Sequence, residues 1–204
     1  IAKSTHWSTN FDAVEVLNDG GYNRVFPYYL DLLNRGLNPT PVGVSDSHDH
    51  YEGMGVNRTW IPMNVSSAAD ITNNDVRAGM IGGGSVASFG PLLVPTVEGV
   101  WAPGQTYVGP TDLNVAVRTP SWMVVDTVHV FQNGTEIETI ALEANNASVR
   151  LAPESDAVYV ITVSSSTDMA PVYPGKRPWA LAQGIFVDVE GDGWTPPLPA
   201  LIVD

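Results

Sequence analysis

The spacing of hydrophobic positions changes once along the chain, near residue 85. Before that point, short apolar runs alternate with stretches of helical period, the rhythm of an α/β unit. Asp12 to Leu17 alternates and then meets Asn18-Asp19-Gly20-Gly21, which predicts a strand closed by a turn. Arg24 to Arg35 has helical spacing. Pro27 suits a first turn, Tyr29, Leu32 and Leu33 form an apolar stripe, and Gly36 is a stop signal. Val42 to Val44 predicts a short buried strand. Ser67, with Asp70 three residues on, predicts the N-cap of a second helix ending near Gly79.

After Gly82-Gly83-Gly84 the helical spacing stops. Leu113 to Arg118, Val124 to Gln132, Thr135 to Leu142, Ser148 to Leu151 and Ala157 to Ser164 read as strands. Asn133-Gly134 joins two of them, and both positions of a two-residue hairpin turn favour positive φ. The expected fold is therefore α/β plus all-β. Residues 1–84 form the α/β portion and residues 85–204 an antiparallel β-sandwich.

Composition narrows the function classes. The chain has 204 residues, 22 Asp and Glu against 9 Lys and Arg, a formal charge of −13, and no cysteine. That balance argues against a nucleic-acid binder, which needs clustered basic residues, and suits a protein that holds cations. Lack of cysteine removes disulfides, thiolate metal sites and a Cys nucleophile. No apolar run approaches a membrane span.

Candidate chemistry is concentrated in Ser45-Asp46-Ser47-His48-Asp49-His50, directly after the Val42 strand. In extended backbone, positions i and i+2 share a side. Asp46 and His48 can then offer a carboxylate oxygen and an imidazole nitrogen to one divalent ion at about 2.0–2.2 Å. Mixed N/O ligands suit Mn, Fe or Zn. Ser45, Ser47 and Asp49 are placed to orient the ligands. The same residues also suit an Asp/His-rich loop capped by its own hydroxyls.

A longer ordered series adds to this pair. Phe11 to Asn18, a helix ending Leu-Leu-Asn-Arg-Gly36, Pro41 to His48, and Gly55-Val-Asn-Arg-Thr-Trp60 occur in that order. Together they resemble the last part of a PHP (polymerase and histidinol phosphatase) domain, and more narrowly the CehA/McbA-type branch of PHP metallohydrolases. Gly90 to Leu93 is similar to the strand where that branch leaves its barrel. Pro120 to Val125, Asn133-Gly134 and Ile185 to Gly193 resemble its C-terminal sandwich.

The resemblance implies a distorted β/α barrel holding two or three metal ions that activate water against a phosphoester or related ester bond. It makes Asp46 and His48 the closing ligand pair. Glu15 and Asn18 become supporting residues beside the site, and Arg58 and His50 are candidate contacts for an anionic substrate group, with a plain surface arginine the competing reading of Arg58. The family's earlier ligands, an opening H-x-H among them, belong upstream of Ile1. His6, the one histidine before Asp46, lies outside such a motif. The chain is thus expected to be the C-terminal portion of a larger hydrolase, inactive alone, with the N-terminal portion of the same precursor held as a separate chain.

Weaker signals remain. Asp188-Val-Glu190-Gly-Asp192-Gly193 begins like a calcium loop but has Pro199 where the closing Glu belongs, so calcium competes with a plain acidic turn. Trp101, Trp122, Trp179 and Trp194 read as a sugar-stacking surface or as core. His129, between Val128 and Val130, reads as a strand histidine on the solvent face. The competing functional reading is a non-catalytic sandwich module for binding or assembly. Low lysine content and the Gly/Pro-rich sandwich suit a periplasmic or secreted protein.

Overall fold

Strand Ala157–Ser164 is buried at seven of its eight positions, whereas Asn146–Leu151 alternates exposed and buried. A strand buried on both faces needs a covering layer on each side. The computed structural model, which describes residues 8–18, 22, 24–49 and 55–200, supplies both layers.

In chain order the first elements are β1 (Ala13–Asn18), α1 (Phe26–Asn34), β2 (Thr40–Val44), β3 (Asn57–Trp60), a single 3-10 turn (Ala68–Asp70) and α2 (Asn73–Ile81). The strands that follow are β4 (Val86–Phe89), β5 (Leu92–Val97), β6 (Val100–Trp101), β7 (Thr106–Val108), β8 (Thr111–Arg118) and β9 (Thr127–Gln132). Then come β10 (Thr135–Ala141), β11 (Asn146–Leu151), β12 (Ala157–Ser164), β13 (Trp179–Ala182) and β14 (Ile185–Asp188).

An eight-stranded sheet runs β10-β9-β12-β13-β4-β3, with β14 bonded to β12 and β7. A four-stranded sheet, β11-β8-β5-β6, faces it. Val128, Tyr159, Ile161 and Ile185 from the first sheet pack against Leu93, Leu113, Val115 and Val149 from the second. This is a β-sandwich core. The other face of the large sheet offers Val158, Val160, Leu181 and Phe186 to Val16 and Leu17 of β1 and Tyr29, Leu30 and Leu33 of α1. Each fully buried aliphatic side chain there contributes about 1.5–3 kcal/mol.

The protein is thus mostly β. Among the described residues the N-terminal part provides one β1-α1-β2 unit with a parallel strand pair, and no barrel closes. The large sheet also runs across the junction at residues 84 and 85, since β3 is bonded antiparallel to β4. Strand β2 is held against β3 by Thr59, whose Oγ1 accepts from Gly43 N and donates to Gly43 O. A Cβ at Gly43 would sit 2.8 Å from the Arg58 carbonyl oxygen, so glycine permits that approach.

The Asn133-Gly134 hairpin forms with φ of 49° and 81°. Ser67 caps only the 3-10 turn. The second helix starts instead at Thr72, where Thr72 and Asp75 make a capping box. Two hydrogen-bonding residues placed correctly for N-caps stand five apart, and the reciprocal pair takes the helix. The expected turn at residues 19–21 lies outside the described residues, as does His6.

Candidate metal centre

Asp46 and His48 follow the carboxyl end of β2, the end at which parallel sheets gather ligands. The parallel pairing sets Asn18 level with Val44, so both strand ends of the unit reach this edge. Asp46 takes a positive φ of 50°, tolerable for aspartate, and turns the chain out of the strand. Both side chains are open to solvent, 54% exposed for Asp46 and 76% for His48.

The histidine geometry is the informative part. His48 Nδ1 lies 2.5 Å from the Asp46 carbonyl oxygen. A carbonyl only accepts, so Nδ1 carries a proton, and the tautomer with this bond has its lone pair on Nε2. Nε2 stands 3.7 Å from Asp46 Oδ1. Two ligand atoms sharing one ion at 2.0–2.2 Å are about 3.0–3.5 Å apart. A small side-chain adjustment would let the pair chelate. Two buried oxygens near this edge, Ser47 Oγ and Asn57 Oδ1, have no hydrogen-bond partner among the described residues, and Asn57 Nδ2 donates to Val44 O at 2.8 Å. Unsatisfied oxygens at this edge fit a site that takes up a further charged or polar group.

The pair fits a divalent ion as two of its ligands. Among the described residues no group of three or more His, Asp or Glu is gathered to hold an ion alone. A closed site requires donors from outside those residues. Glu15 and Asn18 bond to each other, Asn18 Nδ2 to Glu15 Oε2 at 3.1 Å, on the exposed end of β1. Ser45 Oγ accepts from Gly55 N at 3.4 Å. Asp49 is exposed. Arg58 is exposed on β3 with its guanidinium 5.7 Å from the Trp60 ring centre. His50 lies outside the described residues.

No family model matches the sequence. No curated protein matches it either. Among solved structures the chain is similar to a CARDB domain from Pyrococcus furiosus in complex with di-metal ions. That likeness has 15% identity, covers 50% of this chain and 96% of that one, and has a TM-score of 0.32. A Jonesia denitrificans lytic polysaccharide monooxygenase gives 12% identity, 79% and 94% coverage, and a TM-score of 0.32. Scores this low carry no weight for the site.

The second acidic loop is built differently. Asp188 is buried, and its two carboxylate oxygens accept from Gly191 N at 2.7 Å and Gly193 N at 2.8 Å. Asp156 adds bonds from Val189 N at 2.9 Å and Thr195 N at 2.6 Å. Glu190 and Asp192 are exposed. Backbone N–H groups thus account for this loop's shape without a cation.

Strand pairing also produces a constellation that the sequence reading missed. His129 sits on the outer face of the large sheet, with Nδ1 2.7 Å from Glu136 Oε1 and Nε2 2.8 Å from Ser164 Oγ. The Asn-Gly turn sets the hairpin register that brings Glu136 near, but a bulge between Glu136 and Glu138 hides the match from simple counting. The order matches a serine–histidine–carboxylate relay. Its surroundings oppose catalysis, because the nearby donors are spent: Ser166 N binds the Asp126 carboxylate and Thr167 N binds Ser165 Oγ. An anionic Asp126 beside Ser164 would repel a developing oxyanion. The relay is a polar strut across β10, β9 and β12.

Of Trp101, Trp122, Trp179 and Trp194, three are structural. Trp179 stacks on Tyr22 at 4.0 Å, while the ring nitrogens of Trp101 and Trp194 donate to Gly84 O and Ala157 O. Trp122 stays 40% exposed.

Proposed function

We propose that this chain contributes the closing ligand pair of a PHP-type metal-dependent hydrolase of the CehA/McbA-like branch, acting on a phosphoester or related ester. The reading is carried by the β1-α1-β2 unit ending in Asp46-Ser47-His48, with the Asp46 carbonyl fixing the lone pair of His48 on Nε2. The remaining ligands come from outside the described residues, on the N-terminal portion of the same precursor. When bound, Mn, Fe or Zn supplies Lewis acidity toward the ester. Asp46 and His48 hold that ion, and Ser45 and Asn57 hold the loop against β2 and β3. Among the described helices none is long and apolar enough to cross a membrane, and the acidic, cysteine-free composition supports a periplasmic or secreted setting.

The donor count favours a second reading. Two ligands among the described residues also suit a sandwich module for binding or assembly that retains the pair without catalysis. Elemental analysis of protein expressed from the complete reading frame separates the two. Wild type is expected to retain Mn, Fe or Zn through dialysis, and Asp46→Asn with His48→Gln to lower metal affinity at least about tenfold. Metal content unchanged in that double variant removes the pair from the site.

A further inference from the structure

The loop that carries the metal pair is bonded to the rim of a cavity with an accessible volume of about 310 Å³, at the lower end of the range of small-molecule sites. Its rim includes Gly55, which is bonded to Ser45, one residue before Asp46. Its walls come from separate parts of the fold: Arg58 on β3, Gly90 between β4 and β5, Trp122 and Met123 after β8, and Met169 and Tyr173 after β12.

The wall chemistry is specific. Met123 and Met169 are buried and cover Gly90, where a Cβ would lie 2.5 Å from Met123 Cε. Thioethers are polarisable and pack well against aromatic edges. Trp122 keeps 40% of its surface exposed beside them, an unusual exposure for so large an apolar ring. Among the described residues Arg58 is the one cation lining the cavity, and it makes no ion pair with any of them. In a chain of net charge −13, an arginine with no carboxylate partner among the described residues, beside apolar walls, is a placed anion contact.

We propose that this cavity binds a small anionic molecule bearing one flat apolar ring. The ring packs between the methionines and Trp122, and the anionic end meets Arg58. That such a ligand is a substrate, a phosphate ester of a ring alcohol, rests on the metal-hydrolase reading. Binding itself does not. The sandwich loops thereby form the pocket that selects the leaving group, while the β1-α1-β2 unit presents the metal pair.

Calorimetry with phenyl phosphate in excess EDTA tests the cavity apart from the metal. Phenol and inorganic phosphate serve as the two halves of the probe. Wild type is expected to bind phenyl phosphate, with about tenfold weakening in Trp122→Ala and in Arg58→Gln. Trp122→Phe should restore most of the loss, which separates ring contact from misfolding. Inorganic phosphate should respond to Arg58→Gln alone, and phenol to Trp122→Ala alone. Phenyl phosphate binding is read in EDTA, so loss of metal in Asp46→Asn with His48→Gln bears on the metal reading only. No binding by wild type at millimolar phenyl phosphate, or equal affinity in Trp122→Ala, overturns the proposal even where metal is retained.

Discussion

The two acidic loops of this protein carry similar residues and opposite construction. In the loop after β14, Asp188 and Asp156 together accept four backbone N–H groups, and the chain folds around its own carboxylates. In the loop after β2, Asp46 and His48 project into solvent, and Ser47 Oγ lies buried without a partner among the described residues. A carboxylate that has accepted its backbone donors is a structural part. One aimed outward beside a tautomer-fixed histidine is available to a ligand. Acidity alone, which both loops share, distinguishes nothing.

The sharpest way to break this comparison is Asp188→Ala. Removing a buried charged acceptor strands the N–H groups of Gly191 and Gly193, so urea unfolding should show a loss of about 2–4 kcal/mol. A loss under about 0.5 kcal/mol, the ordinary surface value, would place Asp188 beside Asp46 in kind. Gly43→Ala ranks next. Its Cβ would press on the Arg58 carbonyl at 2.8 Å and part β2 from β3, for about 1–3 kcal/mol. Because β2 carries the Asp46 turn, the same variant should weaken metal retention, and intact retention would mean that β3 does not position the pair. Asp46→Asn should stay within about 0.5 kcal/mol of wild type, since asparagine also tolerates its positive φ.

Local chemistry was readable from the sequence and distant pairing was not. The Asn133-Gly134 turn, the Ala157–Ser164 strand and the helix around Tyr29 and Leu33 all follow from short-range rules. The membership of β3 in the sandwich sheet does not, because the Asn57–Trp60 partner lies almost thirty residues on, beyond any period. The D-x-H pair was legible because two spaced residues and one preceding strand suffice. The cavity beside it was not, since Arg58, Trp122, Met169 and Tyr173 meet only after the sheets have paired. The Asp188 loop was half legible: its acidity stood out, but the carboxylate's partners are backbone groups that carry no letter in the sequence.

A third carboxylate group gives the smallest and most graded test. Glu136 is held below its ordinary value of 4.5 by the hydrogen bond from His129, then by that from Thr139, against slight burial and with help from the histidine's charge. For Asp126, burial pushes upward. Bonds from Thr127, from the hydroxyl and backbone of Ser166, and from Ser165 outweigh it and bring the group below 3.8. Groups depressed in the folded state bind protons less readily there than in the unfolded chain. Their stabilisation is complete above the unfolded values and disappears as pH falls through the lower folded ones. Melting temperature should therefore decline on acidification below about pH 4.5. Glu136→Gln and Asp126→Asn should each flatten that decline. An acid arm that keeps its full slope in both variants would show that these hydrogen bonds do not hold the two carboxylates below their ordinary values.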